Sequence, residues 1–206
     1  MSRRIALCVA LVLAAGCGSS PRPHFYALDP GASPARRVAP AFTVAVGPVS
    51  VPDSVDRPQL VLRVGANELV LAEQARWAEP LKASISRVVA NRLELELGDA
   101  RAGVHGKGAT DETDYQVRID IERFDSRPGE AVLIEAAWLV RRPNGGAGLS
   151  GRSGVREPAG NSYDALVGAH SRALSAVSRD IAGAIRASRN EEKGPAAVAA
   201  RQCLPR

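Results

Sequence analysis

The chain has 206 residues, enough for one domain with a sizeable hydrophobic core. Its apolar share is ordinary for a globular protein and its aromatic residues are few. The formal net charge of +5 is scattered, with only pairs such as Arg36–Arg37 and Arg141–Arg142. A nucleic-acid protein needs a basic stripe interleaved with aromatics, so nucleic acid is not expected as a partner; a solvated surface or attraction to anionic lipid remains.

Residues 1–16 have the layout of a secretory signal peptide. Arg3 and Arg4 open it, and Ile5–Ala15 is an apolar run of 11 residues. That is too short to cross a bilayer, which takes about 20 residues. Ala14-Ala15-Gly16 then leads into Cys17. A Cys directly after a small-residue site resembles a bacterial lipoprotein signal, in which cleavage frees the Cys and its thiol is acylated. Ala14 departs from that pattern, which prefers Leu, Val or Ile, with Leu13 one step earlier. The other reading is ordinary signal cleavage nearby, with Cys17 a plain thiol. Several acyl chains on one residue, palmitate among them, anchor stably because each buried methylene contributes roughly 0.8 kcal/mol. Gly18, where Asp would retain a lipoprotein in the inner membrane, resembles an outer-membrane sorting signal. The expected location is the periplasmic face of the outer membrane, lipid-anchored at Cys17. Cys8 is lost with the signal, and Cys17 and Cys203 lie at opposite ends. No disulfide framework or metal spacing results.

Residues 17–40 read as a tether rich in Pro, Ser and Gly. Within it, His24–Leu28 is either a first strand or a loop with an aromatic against the domain; the strand is favoured. An α+β domain is expected over 41–187. Phe42, Val44 and Val46 alternate, and Gly47-Pro48 then breaks the ladder, which predicts a bulge or an edge. Asp53–Pro58 is turn chemistry. Gln59–Val64 and Glu68–Ala72 form a hairpin across Gly65-Ala66-Asn67, with positive-φ residues expected in the connection. Ala75–Glu79 reads as a short link holding Arg76 and Trp77.

Pro80–Leu97 is an amphipathic helix with Leu81, Ile85, Val88, Val89 and Leu93 on one stripe and Lys82, Ser86, Arg87 and Glu94 off it. Gly98 stops it. Asp99–Thr113 reads as a loop. Tyr115, Val117, Ile119 and Ile121 alternate in a strand through Phe124, and Asp125–Glu130 is a turn. Ala131–Arg142 is the next strand, its second face carrying Leu133, Ala137 and Leu139 and so also open to cover. Pro143–Ala159 reads as Gly-rich and mobile, with a last short strand over Ser153–Val155. Asn161 caps a second helix whose stripe runs from Tyr163 to Ile185, ending near Ala187. Residues 188–206 read as a disordered tail. The fold class is therefore α+β, a largely antiparallel sheet with two amphipathic helices packed on one face.

The search for chemistry finds no catalytic, cofactor or metal constellation. Gly106-Lys107-Gly108 lacks the spacing of a phosphate loop, and the glycines around Ser153 do not make a nucleophile elbow. His24, His105 and His170 are unaccompanied by ligand-spaced partners. His170, on an apolar helix stripe, reads as a hydrogen-bonded core or rim residue. Arg76 and Trp77 are a candidate partner interface, since Trp and Arg are enriched at hot spots. The competing reading makes Trp77 a core plug.

Val46-Gly47-Pro48-Val49, Val51-Pro52, Asp56-Arg57-Pro58-Gln59, Asn67, Leu71-Ala72-Glu73, Arg76 through Leu81, Asn91 and Leu93, with Tyr26-Ala27-Leu28 upstream, resemble the ABC-type transport auxiliary lipoprotein family, the PqiC-like proteins. The resemblance implies a non-enzymatic component of an MCE/ABC-type intermembrane lipid transport system. It would dock the periplasmic MCE-domain protein, whose partners are an inner-membrane ABC permease and ATPase, at the outer membrane. Assembly into homo-oligomers is also implied. The rival expectation is a pilot or assembly lipoprotein of an outer-membrane secretion complex, and a weaker one is a periplasmic ligand binder.

Overall fold

The computed structural model describes residues 22–32, 39–106, 113–143, 145 and 148–193. Among these, strands β1 (His24–Tyr26), β2 (Phe42–Ser50), β3 (Gln59–Arg63) and β4 (Leu69–Trp77) precede helix α1 (Leu81–Leu97). Strands β5 (Ala100–Val104), β6 (Tyr115–Arg127), β7 (Ala131–Arg141) and β8 (Leu149–Pro158) follow, and helix α2 (Tyr163–Lys193) comes last. The class is α+β with mostly antiparallel pairing, as expected. The strands divide into two mixed sheets instead of one: β1-β4-β3, and β5-β2-β6-β7-β8. The reason is β4, whose two edges are taken by β1 and β3, so it never joins the larger sheet.

Both helices lie side by side on the five-stranded sheet, α1 over β2 and β5, α2 over β7 and β8. Ile85, Val88, Val89 and Leu93 of α1 meet Leu174, Val177, Ile181 and Ile185 of α2 in the core, all fully buried. Val117, Ile119 and Ile121 of β6 and Val132, Ile134 and Ala136 of β7 supply the sheet side. The second face of β7 is only half-covered at Leu133, Ala137 and Leu139.

Several local expectations change. β2 is an interior strand, not an edge, with parallel neighbours β5 and β6. Gly47-Pro48, a cis peptide, sits in the register shift between Val46 and Val49, so the proline's missing N–H falls where the ladder is already broken. Residues 100–104, expected in a loop, form β5, because β2 offers that backbone a hydrogen-bonding edge. Ala41 N to Asp99 O at 2.8 Å and His105 N to Val46 O at 2.9 Å close its two ends. The β3–β4 connection closes through Val64 N to Glu68 O at 3.2 Å, with no positive φ at Gly65 or Asn67. Residues 75–77, expected in a link, complete β4. Ser86, expected off the apolar stripe, is buried and donates to Lys82 O.

β6 runs on through Arg127, so the turn is confined to Pro128-Gly129 and Asp125 lies inside a strand. β8 is ten residues long where a short strand was expected. Gly151 fits it to β7: a Cβ there would lie 2.3 Å from the Trp138 ring that crosses at that point. The cap of α2 is Ser162, not Asn161; Ser162 Oγ accepts from Ala165 N at 3.1 Å. α2 also continues past Ala187. Arg189 lies over the Phe42 ring at 3.6 Å and pairs with Asp99, while Ser188 accepts from Arg142, so tertiary contacts hold the extra turns. The signal segment, Cys17 and residues 194–206 lie outside the described residues.

Candidate functional site

The end of β4 is fixed from both sides. Trp77 N donates to Pro58 O at 2.7 Å, and Ala78 N donates to Tyr26 O at 2.8 Å. Pro80 then starts α1 without a side-chain cap. The result is an open groove of about 320 Å³, with Asp56, Arg57 and Pro58 on one wall and Trp77 through Leu81 on the other. These are among the residues that carry the family resemblance. Two of the rim charges are paired: Lys82 Nζ lies 2.7 Å from Asp56 Oδ2, and Glu79 Oε1 accepts from Arg87 at 2.6 Å and from Ser84 at 2.9 Å. An apolar floor with a charged rim is the anatomy of a contact surface.

Arg76 and Trp77 do not form one patch, because successive strand residues face opposite ways. Trp77 is only 8% exposed and meets Phe124 edge to face, with ring centroids 6.3 Å apart. It is a core residue whose rim borders the groove. Arg76 points to the outer face of the three-stranded sheet, in register with Phe25 on β1 and Gln59 on β3. Its Nε is buried with no hydrogen-bond partner.

A second charged cluster centres on Asp125, which the sequence pattern places in a turn and the fold places in β6. Asp125 is buried, and its Oδ2 accepts from Arg63 Nε and Arg123 Nε, each at 2.8 Å. Burial pushes the carboxyl upward, but the two guanidinium hydrogen bonds outweigh it and hold the group below the usual range. Asp125 in turn raises Arg123, with Glu135 adding to the effect. A cleft of about 90 Å³ lies against the cluster, lined also by Val55, Val61 and Leu69.

His170 on α2 is buried, as a core histidine should be. Its Nε2 shares a hydrogen bond with Ser126 Oγ at 2.8 Å, and its Nδ1 has no partner. Burial pushes its pKa down to about 3, against a smaller upward pull from Asp125, so the ring is neutral. No group of three His, Cys, Asp or Glu side chains is placed to hold a metal among the described residues. No helix among them is long and apolar enough to cross a membrane.

A family model described as the ABC-type transport auxiliary lipoprotein component matches residues 26–182. None of the curated proteins matches the chain. The crystal structure of an uncharacterized protein matches with a TM-score of 0.67 and 19% identity, covering 80% of this chain and 99% of that one. A Xanthomonas campestris protein of the DUF330 family matches with a TM-score of 0.63 and 22% identity, covering 82% of this chain and 99% of that one. Both likenesses concern the fold.

Proposed function

The chain belongs to the ABC-type transport auxiliary lipoprotein family, and on that premise we propose that it is a non-catalytic, lipid-anchored component of an MCE/ABC-type intermembrane lipid transport system. Acylated at Cys17, it sits on the periplasmic face of the outer membrane and docks the periplasmic MCE-domain protein there. The inner-membrane permease and ATPase supply the energy. The observation that carries this reading is the family match across 26–182, which reaches into both sheets and both helices. The groove beside Trp77 supports it, since residues that carry the resemblance line a surface of contact anatomy.

The physical need is clear. A lipid crossing periplasmic water exposes methylenes at a cost of about 0.8 kcal/mol each. A docked conduit avoids that exposure. The contact is assigned to the groove, with Arg76 as a further candidate on the neighbouring sheet face.

The test is affinity capture of the lipidated protein from native membranes, with identification of the proteins and lipids retained. The expected result is an MCE-domain protein together with its permease and ATPase. Ala78 is exposed on the groove wall, so Ala78→Arg fills the groove without opening the core and should abolish capture. Recovery of a secretin in their place, or unchanged capture by Ala78→Arg, overturns the docking assignment.

A further inference from the structure

Five large apolar side chains are exposed among the described residues: Phe25, Val64, Leu69, Val70 and Leu95. Three of them gather at one place, the closed end of the β3–β4 hairpin. Val64, Leu69 and Val70 are 53%, 39% and 41% exposed there. The hairpin does not need them for its own core, which Leu60, Val61, Leu62 and Ala72 already supply. The connection between them, Gly65-Ala66-Asn67-Glu68, carries a single charge. Arg63, at the base, is turned inward to Asp125 and to Ala66 O.

The direction of the chain gives this tip a neighbour. β1 runs parallel to β4, with His24 opposite Ala75 and Tyr26 opposite Trp77. The polypeptide therefore enters β1 from the side on which β4 begins, which is the tip side. Six residues lie between Cys17 and His24, so Cys17 is at most about 25 Å from the start of β1. From Ala75 back to Leu69, β4 covers about 20 Å. A membrane-inserted lipid on Cys17 thus holds the bilayer within reach of the tip.

We propose that the β3–β4 tip is a second membrane contact, with Val64 and Val70, which share one face of the hairpin, resting in the phospholipid interface beside the acylated Cys17. The inference rests on the reading of Cys17 as the anchor. Its occupant is the bilayer, because the chain enters β1 from this end and the proposed anchor, Cys17, is only seven positions before His24. The contact orients the domain as a covalent tether alone does not. β4 stands away from the membrane, and its far end, at Trp77 and the docking groove, lies about 26 Å from the tip.

The test uses the full lipidated protein in vesicles of phosphatidylethanolamine and brominated phosphatidylglycerol, with Val70→Trp as the probe. Native Trp77 and Trp138 are buried and give the background. Leu95→Trp on α1 is the control for an exposed site elsewhere. The intact mass reports acylation independently of the fluorescence. The tip probe should lose emission about twofold to brominated lipid while the control responds only to aqueous iodide, because interfacial Trp sits at the depth of the lipid backbone. An acylated protein whose tip probe answers only to iodide, or to neither quencher because a protein surface covers it, overturns the tip contact and leaves the anchor standing. A protein without the acyl mass overturns both.

Discussion

Phe124 and His170 lie face to face, with ring centroids 3.9 Å apart and planes within 3° of each other. Phe124 comes from β6 and His170 from α2, so the stack joins sheet to helix across the core. Ser126, two residues along β6, holds the imidazole in place. The neutral ring is the one that fits, because a charged imidazole would lose more to desolvation than Asp125 returns.

Stability should therefore depend on acid. His170 has its pKa lowered from 6.5 to about 3 in the folded chain. A depressed folded pKa gives stability that is full above the unfolded value and is lost as pH falls toward the folded one. The slope reaches about 1.4 kcal/mol per pH unit. Asp125, also depressed, adds its own loss at lower pH. Thermal midpoints recorded from pH ~7 down to pH ~4 should fall, and His170→Phe should flatten the upper part of that curve. An unchanged slope in His170→Phe would remove His170 as the cause.

Trp77→Ala should cost about 3–5 kcal/mol, the range for emptying a buried aromatic site. Its contact with Phe124 and its place in the core decide this. Arg76→Leu should be near neutral in stability, since its buried Nε gains nothing from the fold. Urea melts compare the two. Equal losses would mean that Arg76 is structural as well.

Asp125→Ala removes the shared acceptor of Arg63 and Arg123. Both arginines retain some solvent contact, so the cost is discounted to about 2 kcal/mol. The double variant with Arg63→Met should lose less than the sum of the two single changes. Strict additivity in the denaturation data would show that the pair is not coupled.

Gly151→Ala and Gly154→Ala separate space from chain entropy within β8. A methyl at Gly151 meets the Trp138 ring, whereas at Gly154 it meets open space. The first should cost about 1–3 kcal/mol and the second little or nothing. Comparable midpoints for both would disprove the role given to the Trp138 contact.

What was legible in the sequence was what side chains encode by spacing. Tyr115–Ile121 and Val132–Val140 alternate because one face of each strand is buried, and both helices announce themselves through their stripes. β5 was not legible, and β8 only at Ser153–Val155, because their strand state is supplied by partners. Arg101, Ala102 and Gly103 have no alternation to read, and Gly151 looks like a loop residue until Trp138 is laid over it. The Arg63–Asp125–Arg123 cluster depends on β3 meeting β6, a contact between residues 62 positions apart. The opposite facing of Arg76 and Trp77 follows at once from strand geometry, but only after the link that was expected there is recognised as part of β4.

The parallel pairing of β1 with β4 has a mechanical consequence. A pull on the chain ahead of His24 acts along the strand axis, so the β1–β4 hydrogen bonds resist together in shear, not one at a time by unzipping. Just behind β1 the chain is pinned again: Arg87 donates to Leu28 O, Leu28 is buried, and Asp29 N donates to Ser171 Oγ. Force arriving from the N-terminal side is thus spread over both helices and the smaller sheet before any single contact must yield.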